Sequence, residues 1–174
     1  MESNMFLTIG AMTLLSVFLI SANRMILDNK MVAAESEYII SAISIGQTLI
    51  DEVKTKEFDE AVVGGGTIES IPELSLTLGP EGAEVIEFPD TSSTHAYLSK
   101  TLYDDVDDYN GYFRIVNTKR AEQYKVYAIV DYVKASDPDM IIGARTLCKK
   151  ISLVIKSPYI TQIPSVKLSY AFTY

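Results

Sequence analysis

Cysteine and histidine are nearly absent from this chain, which contains one of each. Because a disulfide needs two thiols, Cys148 excludes one within the chain, and no CxxC or CxxCH motif remains for a metal, a redox centre or covalent haem. His95 alone cannot form a histidine metal cluster, and a Ser/His/Asp triad would depend on that one residue. No serine lies in GxSxG, and the glycine run 64–66 lacks the Lys-Ser/Thr of a phosphate-binding loop. We therefore predict that the chain is not an enzyme.

Proline is absent from residues 1–71, and Gly10 and Gly46 are the only glycines before residue 64. Nothing in this stretch therefore interrupts a helix. Residues 5–22 also lack any charge, and a bilayer core needs roughly 20 such residues. Their polar side chains are small and can bond the helix's own carbonyls: Thr8, Thr13, Ser16 and Ser21. The run is a candidate for a membrane helix, a signal peptide or a buried helix.

A cleaved signal peptide is the alternative interpretation of residues 5–22. Such a peptide begins with a positively charged region, whereas the only charge before this run is Glu2. The sequence at 20–22 is also a poor small-x-small cleavage site. Helical periodicity continues beyond the run, which a cleaved peptide does not require. We therefore favour an apolar helix that stays in the chain.

The helical pattern continues from 24 to 58, where apolar residues recur at steps of three or four. The main stripe is Leu27, Met31, Ala34, Tyr38, Ala42, Ile45, Leu49 and Val53. Together with the apolar run, this stripe predicts one helix over 6–58, about 80 Å long at ~1.5 Å per residue. We predict that residues 1–24 form a membrane or filament-core segment and that 25–63 form its amphipathic continuation.

The rest of the chain is predicted to form a head. Glycines 64–66 form a hinge into a variable acidic region, 64–110, in which 74–78 are a candidate strand and 91–110 are loops. Period-2 alternation over 111–174, with a turn at 136–139, predicts an antiparallel β-sheet. Its apolar face needs a cover, and the amphipathic stripe at 31–53 is the only long helix available. The predicted fold class is α+β: an antiparallel β-sheet packed on the C-terminal half of the long helix.

Charge is distributed unevenly along the chain. Residues 1–66, 67–110 and 111–174 carry net charges of −5, −9 and +6, within a total of −8. A nucleic-acid-binding protein would have a basic overall balance, so we predict no nucleic-acid partner. The asymmetry suits head-to-tail packing between copies, although two solvated faces of one domain explain it equally well.

An acidic run lies just before the predicted sheet. It contains Asp104, Asp105, Asp107 and Asp108. Hard cations bind several carboxylate oxygens of a short loop, so these residues are candidate ligands for calcium, the one cofactor that we consider. The EF-hand spacing is not met, because Tyr109 occupies the third ligand position counted from Asp105. A solvated acidic turn is the favoured interpretation.

A long helix, apolar at first and then amphipathic, followed by a four-stranded antiparallel sheet, resembles the type IV pilins and the pseudopilins of type II secretion. Residues 146–155 resemble the strand of minor pilins in which a basic residue precedes alternating β-residues. Residues 104–112 resemble the acidic loop of minor pilins of the mannose-sensitive-haemagglutinin type.

Two features depart from this family. Its members have a leader that is cut before an aromatic residue or Met, and a Glu at the fifth mature position. Here the fifth residue is Met5 and the nearest carboxylate is Glu2, so we expect either a mature chain that starts at Met1 or one that escapes this processing. The proline that pilins often carry near the end of the apolar segment, around Ala22 here, is missing.

The resemblance implies a structural subunit of an extracellular filament, or fimbrium, at the cell surface, with a membrane-inserted state before assembly and a role in cell adhesion. Its partners are then copies of itself in a helical homopolymer, the membrane, and inner-membrane pilus or secretion assembly machinery. The residues we assign to assembly are Glu2, Phe6, Ile9, Gly10, Leu14, Leu15, Phe18 and Leu19. The alternative is a membrane-anchored pseudopilin, or a minor pilin or adaptor, that forms no long filaments itself.

Overall fold

The computed structural model describes residues 2–92, 96–119 and 121–174, with side chains described from Asn4 onwards. Contacts divide the chain into two units, Met1–Tyr38 and Ile39–Tyr174. One helix, α1 (Glu2–Val53), contributes residues to both. The predicted uninterrupted helix is therefore confirmed, but its predicted end at residue 58 is wrong.

α1 ends at Val53 because the chain beyond it pairs with the acidic run. The N–H of Glu57 donates to the carbonyl of Asp104 at 2.9 Å, and the carbonyl of Glu57 accepts from the N–H of Val106 at 3.0 Å. The last turn is closed by the hydroxyl of Thr55, which donates to the carbonyl of Glu52 at 2.7 Å. These bonds replace the helical ones that residues 54–58 would otherwise need.

The head contains a six-stranded sheet with the spatial order β1-β2-β3-β5-β6, and β4 also pairs with β3. The strands are β1 (Asp90–Thr91), β2 (Phe113–Val116), β3 (Tyr124–Lys134), β4 (Asp137–Ile141), β5 (Cys148–Lys156) and β6 (Val166–Thr173). β1 runs parallel to β2, and the other pairs are antiparallel. The predicted α+β class is confirmed. The sheet is mixed rather than purely antiparallel, because β1 pairs in parallel with β2. β1 was missed because its two residues are too few to show an alternation.

Within Ile39–Tyr174, the last turns of α1 cover the inner face of β5 and β6. A Cβ atom on Gly46 would lie 2.7 Å from Cδ1 of Leu168 and 3.0 Å from Cδ1 of Ile155, so helix and sheet meet closely at this glycine. The buried apolar helix residues are Ala42, Leu49, Ile50 and Val53. The predicted packing on the C-terminal half of the helix is confirmed. Within this unit, the first buried apolar residue of the predicted stripe 31–53 is Ala42.

The segment 74–78 is not a strand, because side chains rather than a neighbouring strand satisfy its backbone. The N–H of Ser75 donates to the carboxylate of Asp59 at 3.1 Å, and the carbonyl of Leu74 accepts from Arg145 at 2.9 Å. Leu74 is buried and Leu76 is exposed. The alternation in the sequence therefore corresponds neither to a β-ladder nor to a shared buried face.

Two loop assignments are also wrong, and one is confirmed. The turn predicted at 136–139 lies at 135–136, and β4 begins directly after it. Pro138 therefore lies in β4, an exposed edge strand of the kind that tolerates proline. The region 91–110 contains a short helix, α2 (Ser99–Leu102), and a 3₁₀ turn at Asp107–Tyr109. The glycine hinge is a turn, as predicted: Gly64 and Gly65 have φ values of +74° and +91°, which favour glycine.

Gly66 gives a test of this turn. A Cβ atom there would lie 2.2 Å from the carbonyl oxygen of Ala61, a backbone atom that cannot rotate away. We expect Gly66→Ala to cost about 1–3 kcal/mol of unfolding free energy, measured by urea titration of the full-length chain in mild detergent. Gly143→Ala is the control, because nothing lies within 4 Å of its Cβ position. Equal midpoints for the two variants would contradict the steric argument.

Candidate metal centre in the acidic loop

The predicted assembly residues lie on the first turns of α1. The described side chains among them are all exposed: Phe6, Ile9, Leu14, Leu15, Phe18 and Leu19. Apart from the neighbouring residues and the helix's own backbone, no described atom lies within 4 Å of the Cβ position of Gly10. The side chain of Glu2 lies outside the described residues. α1 is long and apolar enough to cross a membrane, and none of its most apolar 18 residues is buried.

The polar side chains of this segment bond to its own backbone. The hydroxyls of Thr8, Thr13 and Ser16 donate to the carbonyls three or four residues earlier, at 2.8 Å in each case. This confirms the prediction for three of the four polar residues. A hydroxyl satisfied in this way needs no partner from lipid or from another chain.

The acidic run forms a folded turn before β2. Asp105, Asp107 and Asp108 are each only 1% exposed, so the predicted solvated turn is wrong. The N–H groups of Asp107 and Asp108 donate to Oδ1 of Asp105 at 2.8 and 3.1 Å. The N–H groups of Asp104 and Asp105 donate to Oδ2 of Asp108 at 3.0 and 3.2 Å. Two of the carboxylates thus hold the turn together by accepting from its backbone.

Asp107 contacts a lysine buried beneath the sheet. Lys149 lies on β5, and its Nζ donates to a carboxylate oxygen of Asp107 and to Oδ2 of Asp59, the latter at 2.7 Å. The same Nζ donates to the carbonyl of Phe58 at 2.9 Å. Lys149 and Asp59 are fully buried. Burial alone would raise the pKa of Asp59, but the hydrogen bond and charge of Lys149 hold that pKa below its usual value. This cluster ties β5, the acidic turn and the segment after α1 together.

A second buried ion pair joins α1 to the sheet. Nη2 of Arg114, on β2, donates to both carboxylate oxygens of Glu52 at 2.9 and 2.8 Å, and to Oγ of Ser99 at 2.8 Å. Its Nε donates to the hydroxyl of Tyr112 at 2.7 Å, and this hydroxyl donates to Oδ2 of Asp90 at 2.6 Å. A single nitrogen, Nη2, thus contacts both carboxylate oxygens of Glu52, and bonds to a charged group of this kind are stronger than neutral ones. These bonds hold the last turns of α1, β2 and α2 together.

Three further carboxylates lie together, and no ion pair joins them to a basic side chain that the structure describes. Oxygens of Glu81, Glu84 and Asp108 all lie within 4.8 Å of one another. Oδ1 of Asp108 and Oε2 of Glu84 are buried and accept no hydrogen bond from a described donor. Burial and the charges of Asp108 and Asp104 raise the pKa of Glu84 to about 7. A group of this kind needs protons or a cation.

Only Asp108 of the four predicted calcium ligands belongs to this group. Burial and the charges of Asp107 and Asp108 raise the pKa of Asp105 to about 8, but Asp105 is outside the group. Calcium binding by Asp104, Asp105 and Asp107 stays a prediction. Glu81 and Glu84 were missed, because a Glu-x-x-Glu spacing alone is a weak signal and Asp108 lies far along the chain.

Comparison of the chain with protein-family models, with curated proteins and with solved structures finds no match. A long apolar N-terminal helix followed by a β-sheet is a pilin-like architecture. The single histidine, His95, lies outside the described residues.

Proposed function

We propose that this chain is a structural subunit of an extracellular, type IV pilus-like filament, assembled through the first part of α1. The observation that carries the proposal is the exposure of the apolar side chains on that helix, of which Leu14 is 74% exposed. The largest apolar patch of a typical soluble monomer covers only about 300–600 Å². A helix that is apolar on all sides needs lipid or other copies around it.

Assembly then replaces lipid around residues 1–24 by the same residues of neighbouring subunits. Moving an apolar side chain between two apolar surroundings costs little, whereas exposing it to water costs about 0.8 kcal/mol per CH₂ group. Gly10 has no side chain and open space at its Cβ position, which suits close approach of helices. Glu2 is the predicted charged residue of this contact, paired with the terminal amine of a neighbour, because a buried carboxylate without a partner is costly.

The partners in this proposal are other copies of the chain, the membrane before assembly, and inner-membrane assembly machinery. We propose a structural role and not a catalytic one. In support, Lys149 and Arg114 are buried and committed to carboxylates that hold the fold together. Neither is placed to act on a substrate.

Removing residues 1–24 tests the anchoring role. We expect the shortened chain to be soluble, monomeric and β-rich, because Ile39–Tyr174 keeps the described core. Size-exclusion chromatography with light scattering and circular dichroism measure these properties, with the full-length chain in detergent as the reference. Filaments formed by the shortened chain would contradict the proposal.

Negative-stain microscopy of material sheared from the cell surface tests the filament itself. Labelled antibody against the head should decorate filaments along their whole length. A chain that is found only in the membrane fraction, with no decorated filament, would favour the alternative of a membrane-anchored pseudopilin, minor pilin or adaptor.

A further inference from the structure

We propose that Glu81, Glu84 and Asp108 form a calcium site that fastens the segment around residues 81–84 to the acidic turn before β2. The proposal does not depend on the filament role, because all three residues belong to the head. It differs from the ligand set expected from the sequence, with which it shares only Asp108.

The backbone brings the three carboxylates together. Glu81 immediately precedes a 3₁₀ turn, Gly82–Glu84, and its carbonyl accepts from the N–H of Glu84 at 3.0 Å. Because a 3₁₀ helix has 3.0 residues per turn, side chains three residues apart lie on the same side of it. Asp108 comes from the second 3₁₀ turn, Asp107–Tyr109. The two turns thus present their carboxylates to one point, with the oxygens within 4.8 Å.

The unpartnered oxygen of Asp108 is the independent evidence for a ligand. Asp108 is 99% buried; its Oδ2 accepts two backbone N–H bonds, while its Oδ1 accepts none from a described donor. Oε2 of Glu84 is also buried, and it too accepts no hydrogen bond from a described donor. A buried carboxylate oxygen without a donor is costly, and two such oxygens in one cluster are more so.

Three other buried carboxylates of the head have a cation from the fold, and a fourth, Asp90, accepts from two backbone N–H groups and the hydroxyl of Tyr112. Asp59 and Asp107 share Lys149, and Glu52 is bound by Arg114. Around Glu84, by contrast, the strongest charges are those of Asp108 and Asp104. Among the described residues, no ion pair joins a basic side chain to Glu81, Glu84 or Asp108, nor to Asp105 in the same turn. A cation from solution fills that role.

The ligand chemistry selects calcium. Carboxylate oxygens suit hard cations, whereas zinc and copper favour imidazole and thiolate. Calcium binds oxygens at about 2.3–2.6 Å, so opposite ligands lie roughly 4.6–5.2 Å apart, and it accepts irregular geometry. Magnesium needs a nearly ideal octahedron at about 2.0–2.1 Å and gives up water reluctantly. Glu81 is exposed, which leaves an entry path and room for water ligands.

Thermal unfolding of the full-length chain in mild detergent, with calcium or with EDTA, tests the site. With calcium at about 100 times its dissociation constant, we expect the melting temperature to rise by roughly 5–10 °C. Isothermal titration calorimetry should give one calcium per chain. Glu84→Gln and Asp108→Asn should each remove the rise, and Asn can keep an oxygen to accept from the backbone at position 108.

Glu87→Gln is the matched control, because Glu87 is an exposed acid of the same segment and lies outside the group. It should keep the full calcium-dependent rise. No rise in the unmodified chain, or a rise that persists in Glu84→Gln, would overturn the proposal. An equal rise with magnesium at the same concentration would overturn the choice of calcium. If Asp108→Asn does not fold, Glu84→Gln decides.

Discussion

The Lys149→Met variant is expected to lose about 3–5 kcal/mol of unfolding free energy. Methionine fills nearly the same volume, so the change removes the charge and three donated bonds while largely preserving the packing. It leaves Asp59 and Asp107 buried without the cation that both contact. Removing one partner of a buried ion pair is costly because the other stays desolvated.

Lys150→Met is the matched control at the adjacent position. The side chain of Lys150 is 11% exposed, but its Nζ pairs at 3.4 Å with a carboxylate oxygen of Asp139, whose side chain is 95% exposed. A pair with a partner in solvent contributes about 0–1 kcal/mol. Urea titration of both full-length variants in mild detergent measures the difference. A loss for Lys149→Met no larger than that for Lys150→Met would contradict the structural role of the buried cluster.

The pH dependence of this loss gives a second test. Lys149 holds the pKa of Asp59 below its usual value. Its contribution to stability is therefore complete above the unfolded pKa of roughly 3.9 and is lost as the pH falls through the lowered folded value. Lys149→Met lacks this contribution at every pH. We expect the difference between the two chains to be largest at neutral pH and to narrow in acid.

The position of Lys149 on the buried face could be predicted from the sequence, but its partners could not. Lys149 alternates along β5 with the same period as Ile151, Leu153 and Ile155, which are all buried. A lysine on that buried face needs an acidic partner. Asp59 and Asp107 lie 90 and 42 residues away along the chain. Their choice depends on how the turns fold back, which no local pattern encodes.

Long local patterns predicted the fold well, and short or tertiary features were missed. The helix and the longer strands follow from a periodicity repeated over many residues. β1 has only two residues, and its parallel pairing joins Asp90 to Arg114, far apart in the chain. The acidic turn was predicted to stay in water because charge alone favours solvation. Its burial depends on hydrogen bonds from backbone N–H groups and on the charge of Lys149. Lys149 is 42 residues from Asp107 along the chain, so no local pattern links them.

Leu14→Asp is expected to abolish filament formation while the head stays folded. Leu14 lies in the middle of the apolar segment, and its side chain is exposed on α1. An aspartate at the centre of a membrane helix costs about 2.5–3.5 kcal/mol. Because each subunit of a helical polymer carries the change, the cost recurs at every contact along the filament core. The unit Ile39–Tyr174 does not include residue 14, so its core should be unaffected.

Leu76→Asp is the control for this variant, since it makes the same change at a leucine of the head that is 80% exposed. We expect this variant to form filaments like the unmodified chain, because no apolar contact of the proposed core is altered. Filaments sheared from cells expressing each variant can be counted by negative-stain microscopy, with an immunoblot to compare total protein. Circular dichroism of the purified chains checks that the head is folded. Normal filaments from Leu14→Asp would show that residues 5–22 do not form the core. Loss of filaments in Leu76→Asp as well would instead place a necessary contact on the head.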